Sequence, residues 1–249
     1  PEAGLPLEIL HDGEDAPARL LPFVEKEKPL GIDKDWPARF LIRLMELHAA
    51  PEYRNASDAC DDARAVKDAA EQEAMRASSK VNDDCMAEFE ALIRPGITEK
   101  EMADAIRGIY AAHGCSDVSF APICGFGPHA ADPHHDNDDT PLTAGQCVLI
   151  DVGGVYHDYC SDMTRTFFTA EPTEEERRVY ELVRQAQAAA EALVKPGVRL
   201  CDIDAAARDV ITAGGYGPYF YHRLGHFIGL QDHEAGDVSA VNENVVTPG

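Results

Sequence analysis

Apolar residues along this chain recur with two periods, and the switches between them outline its parts. In "PARFLIRLMELHAA" (37–50), Phe40, Leu41, Leu44 and Leu47 fall on one helical face. The polar stretch "PEYRNASDACDD" (51–62) then reads as a linker. Beyond it, "ARAVKDAAEQEAMRASSKVNDDCMAEFEALI" (63–93) is rich in Ala, Glu, Met and Lys and predicts one long helix ahead of the breaker Pro95-Gly96. A second domain is therefore expected to start near Ala63. "LIRPGITEKEMADAIRGIYAAHG" (92–114) and "LVKPGVRLCDIDAAARDVITAGG" (193–215) align without gaps, sharing the Pro-Gly opening, a helix of small residues and a closing Gly. Each copy follows a helix and precedes β-like sequence. Two related α-α-β halves facing each other would form a pseudo-symmetric α+β domain with a cleft between them. Within the first half, "GQCVLIDVGG" (145–154) and "YCSDMTRTFFT" (159–169) are β-prone and joined by a short polar connection, the pattern of a hairpin.

Composition narrows the function. A hydrophobic share of 45% is that of a globular chain, and no apolar run approaches the roughly 20 residues of a membrane span. Lys+Arg 22 against Asp+Glu 45 gives a formal charge of −23, a field that repels nucleic acid and anionic membranes. The seven cysteines include no CxxC pair and read as reduced thiols, so a cytoplasmic address is expected. The chain opens on Pro1 and stops on a Pro-Gly turn at Gly249, as if cut at both ends.

Candidate chemistry centres on the hairpin. Pairing would bring Asp151 and Asp162 to one spot, where two carboxylates repel unless a hard divalent cation lies between them. The plainer reading has Asp162 capping a turn and Asp151 ending its strand at Gly153-Gly154; on the hairpin alone the two stand about even. The segment "YHRLGHFIGLQDHE" (221–234) adds His222, His226 and His233 from the other half, and His226 would approach the aspartates with a nitrogen ligand. His134-His135, in the acidic loop "ADPHHDNDD", can equally be solvated.

Taken in order, these residues resemble the pita-bread metallopeptidases, the family of aminopeptidase P, prolidase and methionine aminopeptidase, over about residues 63–249. The resemblance implies a pita-bread fold, preceded in residues 1–62 by the C-terminal part of a smaller creatinase-like domain plus linker. It implies two divalent metal ions held by Asp151, Asp162, His226 and two glutamates expected beyond Gly249, so that the fragment by itself would be inactive. It implies catalytic roles at the substrate for His134 and His233, and a substrate-binding role for His222. Mixed oxygen and nitrogen ligands suit manganese, cobalt, iron or zinc, and ligand type does not choose among them; manganese is the ion favoured. Phe227 departs from the pattern, standing where many relatives have Gly. The implied reaction is hydrolysis of an Xaa-Pro bond, in dipeptides or at the N-terminus of longer peptides, by a homodimer acting on small peptides. A creatinase-like or compatible-solute hydrolase, a lyase, and an inactive peptide-binding domain on the same fold remain open.

Overall fold

The computed structural model describes residues 9–249. By its contacts the chain separates into two compact units, Pro1–Ala63 and Arg64–Gly249.

The first unit contains the short helix α1 (Ala16–Arg19), strand β1 (Leu30–Ile32), helix α2 (Ala38–Glu46) and strand β2 (Tyr53–Asn55). Leu44 of α2 is 1% exposed, and its carbonyl accepts a hydrogen bond from the Tyr53 hydroxyl at 2.9 Å. Strands β1 and β2 pair in parallel, Leu30 against Tyr53. The expected linker is thus ordered: it contributes β2 and the start of helix α3 (Asp58–Ala65). Its polar residues make turns instead of loose chain, with Asn55 Oδ1 accepting the Ser57 amide at 3.0 Å.

In the second unit the long helix α4 spans Ala69–Ala91, beginning later than Ala63. The interruption has a local cause. The Asp68 carboxylate accepts the amides of Ala70 at 2.8 Å and Glu71 at 2.9 Å, while Glu71 accepts the Asp68 amide at 2.7 Å. This reciprocal cap starts a new helix instead of continuing the old one. Then follow α5 (Glu99–Ala112), β3 (Asp117–Val118), β4 (Ile123–Phe126), β5 (Cys147–Val152), β6 (Gly154–Tyr156), β7 (Tyr159–Cys160), β8 (Met163–Phe168), α6 (Glu174–Glu191), α7 (Leu200–Ala213), β9 (Gly225–Phe227) and β10 (Glu234–Val238). Among the described residues no helix is long and apolar enough to cross a membrane.

The expected hairpin is present in a two-tier form. Strand β5 pairs antiparallel with β8 and with β4, while the connection folds into β6 and β7, which join β3 in a separate sheet. Gly153 permits the step between tiers: a Cβ there would lie 1.9 Å from the Ser161 carbonyl oxygen. Apolar faces of α4, α5 and β5 bury Phe89, Met102, Ile106, Tyr110, Ile150 and Val152 in one core. A second core gathers Ala186, Ala190, Ile203, Ala207 and Ile211 between α6 and α7.

The internal repeat is visible in the backbone. The Gly96 amide donates to the Leu142 carbonyl at 2.8 Å, and the Gly197 amide to the Val246 carbonyl at 2.8 Å. Return bonds run from Leu142 to Ile97 and from Val246 to Val198, and isolated bridges join Thr98 to Pro141 and Arg199 to Val245.

Candidate metal centre

Strand register determines which side chains meet. Asp151, near the end of β5, lies opposite Thr164 of β8, whose hydroxyl donates to Asp151 Oδ1 at 2.6 Å. Asp162 sits just before β8. It is positioned by its neighbour Ser161, whose amide and hydroxyl both donate to the Gly154 carbonyl, at 3.0 and 3.1 Å. The end of β5 is held by the buried side chains of α4 and α5: Asn82 donates to the Val152 carbonyl and in turn accepts the Tyr110 hydroxyl at 2.6 Å.

His226 arrives from β9 in the second half. Its Nε2 lies 3.2 Å from Asp162 Oδ2, and its Nδ1 lies 3.1 Å from the Phe227 carbonyl oxygen. A carbonyl and a carboxylate both only accept, so both ring nitrogens donate here, Nδ1 to the carbonyl and Nε2 to Asp162. His233 lies close by, its ring tilted 49° to that of His226 with the centroids 3.9 Å apart. The loop between β9 and β10 is stitched to β7, since the Cys160 amide donates to the Gly229 carbonyl at 2.8 Å. Glu234, following His233, is buried and anchors the loop. It accepts Arg64 Nη2 at 2.5 Å, Lys67 Nζ at 3.0 Å and the Leu230 amide at 3.0 Å. Burial alone would raise the Glu234 pKa, but the Lys67 and Arg64 bonds outweigh it and hold it low.

The electrostatics of the cluster follow from its composition. Burial raises Asp151, and the nearby Asp162 charge adds to the rise. The Asp162 hydrogen bond raises His226, whereas burial and then the His226 charge lower His233. Asp232 is pushed up to about 6, by burial first and by Asp162 next. Its Oδ1 is buried without a hydrogen-bond partner, alone in this among side-chain N and O atoms of the described residues. Three interacting carboxylates, one orphaned oxygen and an imidazole nitrogen that faces a carboxylate form a donor set that fits a hard or borderline divalent cation, which would take the place of the Nε2 proton.

The other expected residues fall differently. His134 is exposed, its amide donating to Asp132 Oδ1 at 2.9 Å, and it lies near enough to His233 to help lower that imidazole. His222 does not join the cluster. It is exposed, its ring edge-on to Phe220 at 4.9 Å, and its carbonyl accepts Arg208 Nη2 at 2.9 Å. Phe227, the departure from the family pattern, packs its ring on Gly236, where a Cβ would lie 2.6 Å from the ring.

Sequence reading missed a second group. Glu99, fully buried at the start of α5, accepts His135 Nε2 at 2.6 Å and His129 Nδ1 at 2.9 Å, together with the amides of Phe126 at 3.0 Å and Asp138 at 3.2 Å. Among the described residues it is the one group of three whose ligand atoms all lie within 4.8 Å, the spacing for holding a metal ion. No three of Asp151, Asp162, His226 and Asp232 close to that spacing, and Asp151 Oδ1 is turned onto Thr164. Both Glu99 oxygens are already doubly bonded, so the observed network ties the loop 126–138 to α5. The signal available was two glutamates in one first turn, of which Glu101 makes the cap and Glu99 goes inside.

The sequence profile of metallopeptidase family M24 matches residues 73–249. An uncharacterized peptidase of Staphylococcus epidermidis is 38% identical over 197 residues, covering 79% of this chain and 56% of the relative. Another, from Staphylococcus haemolyticus, is 34% identical over 242 residues, 93% of this chain and 69% of the relative. The chain thus spans little more than half the length of the first of these relatives. Among solved structures, a prolidase from Pyrococcus furiosus superposes with a TM-score of 0.87 at 30% identity, over 92% of this chain and 68% of that one. The dipeptidase PepE from Mycobacterium ulcerans superposes with a TM-score of 0.89 at 35% identity, over 99% of this chain and 66% of its own. The architecture is that of the pita-bread prolidases.

Proposed function

Because the chain belongs to metallopeptidase family M24, we propose that the intact protein hydrolyses Xaa-Pro bonds, in dipeptides or at the N-terminus of short peptides, with two divalent ions, manganese being favoured. The contact that carries the reading is Asp162 Oδ2 to His226 Nε2 at 3.2 Å, which joins an oxygen donor of one half to a nitrogen donor of the other.

Asp151, Asp162 and His226 would hold the metal, and when bound it supplies Lewis acidity toward the scissile carbonyl and acidifies water near neutral pH. The chain's own residues do the rest. Thr164 fixes one oxygen of Asp151, leaving the other free to coordinate. Partial desolvation and the neighbouring His226 lower the His233 pKa, and its ring N–H can donate a hydrogen bond to the substrate carbonyl as negative charge develops there. His134, on the loop that Glu99 anchors, meets the peptide from the other half. His222 contacts substrate further from the reacting bond, on the exposed rim.

The remaining parts of the proposal rest on the family resemblance. Residues 1–62 belong to a creatinase-like N-terminal domain, residues 63–249 to the pita-bread catalytic domain, the protein acts as a homodimer, and its free cysteines suit the cytoplasm.

Incubating the intact protein with manganese or cobalt and comparing Ala-Pro, Ala-Pro-Ala, Met-Ala-Ser and creatine tests the substrate. Turnover of the prolyl peptides is expected; preference for the methionyl peptide, or turnover of creatine alone, overturns the proposal. In calorimetric titration with manganese, Asp162→Asn should weaken binding while leaving metal-free stability within about 0.5 kcal/mol of the parent.

A further inference from the structure

The loop joining β9 to β10 brings a carboxylate to the metal cluster that the reading above does not use. Asp232 directly precedes His233, and its Oδ2 lies 3.4 Å from His233 Nε2. The other oxygen, Oδ1, is buried and meets no hydrogen-bond donor. A carboxylate oxygen withdrawn from water without a partner is unfavourable, and a native fold that keeps one has a use for it. Its neighbours Gln231 and His233 are both exposed, and the loop is held by backbone contacts from Cys160 and by Glu234. It reaches the cluster through its neighbour: the His233 ring centroid is 3.9 Å from that of His226, whose Nε2 lies 3.2 Å from Asp162 Oδ2, and Asp162, His226 and Asp151 are the charges that act on Asp232. Two of these are negative, so in the absence of a cation the arrangement is repulsive. A further carboxylate makes physical sense there only as a donor to positive charge.

We propose that Asp232 supplies an additional oxygen, through Oδ1, to the divalent-cation site of Asp151, Asp162 and His226. This rests on the metallopeptidase reading of that site. It makes the site more anionic than those three ligands alone, and it couples cation binding to His233 through the Oδ2 contact. Loss of the Asp232 charge should therefore affect both the ion and the imidazole that faces substrate.

The test uses the intact protein stripped of metal by chelation, as the parent and as Asp232→Asn and Asp162→Asn. Manganese affinity is read by calorimetry and the cobalt-loaded protein by its visible absorption spectrum. Asp232→Asn should bind manganese at least about tenfold more weakly, show an altered cobalt spectrum, and melt at higher temperature than the parent when metal-free. Parental affinity and spectrum in Asp232→Asn, with binding lost in Asp162→Asn, would overturn this inference alone. Parental affinity in both variants would remove the metal reading of the cluster and this inference with it. A lower metal-free melting temperature in Asp232→Asn would show that Oδ1 is stabilised in the empty site, contrary to the argument.

Discussion

At Gly96 and at Gly197 the chain repeats itself to the hydrogen bond, yet the two halves tie down their outer segments with different charges. In the first half the anchor is Glu99, at the start of α5, gripping His129, His135 and the amides of Phe126 and Asp138. The aligned position in the second half is Leu200, an ordinary core residue at 6% exposure. There the anchor comes one turn later: buried Asp204 accepts two bonds from Arg208 and the Leu224 amide, while Arg208 reaches on to the carbonyls of Phe220 and His222. The cores differ in the same way. Phe89, Met102, Tyr110 and Phe126 fill the first, whereas alanines 186, 190 and 207 let α6 and α7 approach closely in the second. Duplication has preserved the backbone frame, and side-chain chemistry has diverged on it. One anchor is a carboxylate held by two imidazoles, and the other is a carboxylate paired with a permanent cation.

Making the halves alike should do the most damage. Glu99→Leu copies the second half but leaves two amides and two imidazoles without an acceptor, at a cost of about 4 kcal/mol, measured by urea unfolding. A loss under about 1 kcal/mol would mean that Glu99 is not an anchor.

Arg208→Met breaks the second anchor instead. It strands Asp204 as a buried charge and should cost about 3 kcal/mol, with amide exchange quickened in α7 and β9 and unchanged in β4. Equal quickening in both halves would show that they unfold as one unit and that the comparison has no energetic content.

The cluster of Asp151, Asp162, His226 and Asp232 supplies a smaller, opposite effect. Asp232 rises from an ordinary 3.8 to about 6. The folded protein therefore binds the proton more tightly than the unfolded chain, and metal-free stability falls as pH climbs from about 4 to 6. Asp232→Asn should remove that slope and add about 2 kcal/mol at pH 7. A slope that persists in the variant would assign it to other carboxylates.

The smallest effect separates the two anchors by pH. The hydrogen bond with Glu99 raises the His129 pKa above its usual 6.5. Its stabilisation is full below 6.5 and is lost as pH rises through the higher folded-state value. The difference in melting temperature between the parent and His129→Gln should shrink from pH 5.5 to pH 9, while that caused by Arg208→Met stays flat. A His129→Gln difference independent of pH would remove the distinction.

Much of the frame was legible along the chain because its causes are local. Pro-Gly followed by a helix can be read twice because Gly96 and Gly197 both take positive φ, at 86° and 88°. The pairing of β5 with β8 follows from alternation and a short connection. Where a local rule met a competitor, the reading slipped: helical composition ran on from Ala63, but the Asp68–Glu71 cap restarted the helix at Ala69. The supposed linker became β2 through parallel pairing with Leu30–Ile32, a partner far away in sequence.

The sequence by itself determined the element types, the duplication, the family resemblance and a short set of acidic and imidazole side chains near the chemistry. Only the tertiary structure decided which of them meet. His222 and His226 are the same residue type in one segment, yet strand β9 turns His226 onto Asp162 and leaves His222 on the surface. Glu99 and Glu101 share a first turn, and one goes into the core while the other caps the helix. Asp232 is one polar residue among several until its loop, stitched to Cys160, sets it against His233 and so beside His226. Helix and strand periods act over neighbouring residues and leave their mark in the sequence, whereas the direction a charged side chain takes depends on register and on partners brought from the other half of the fold.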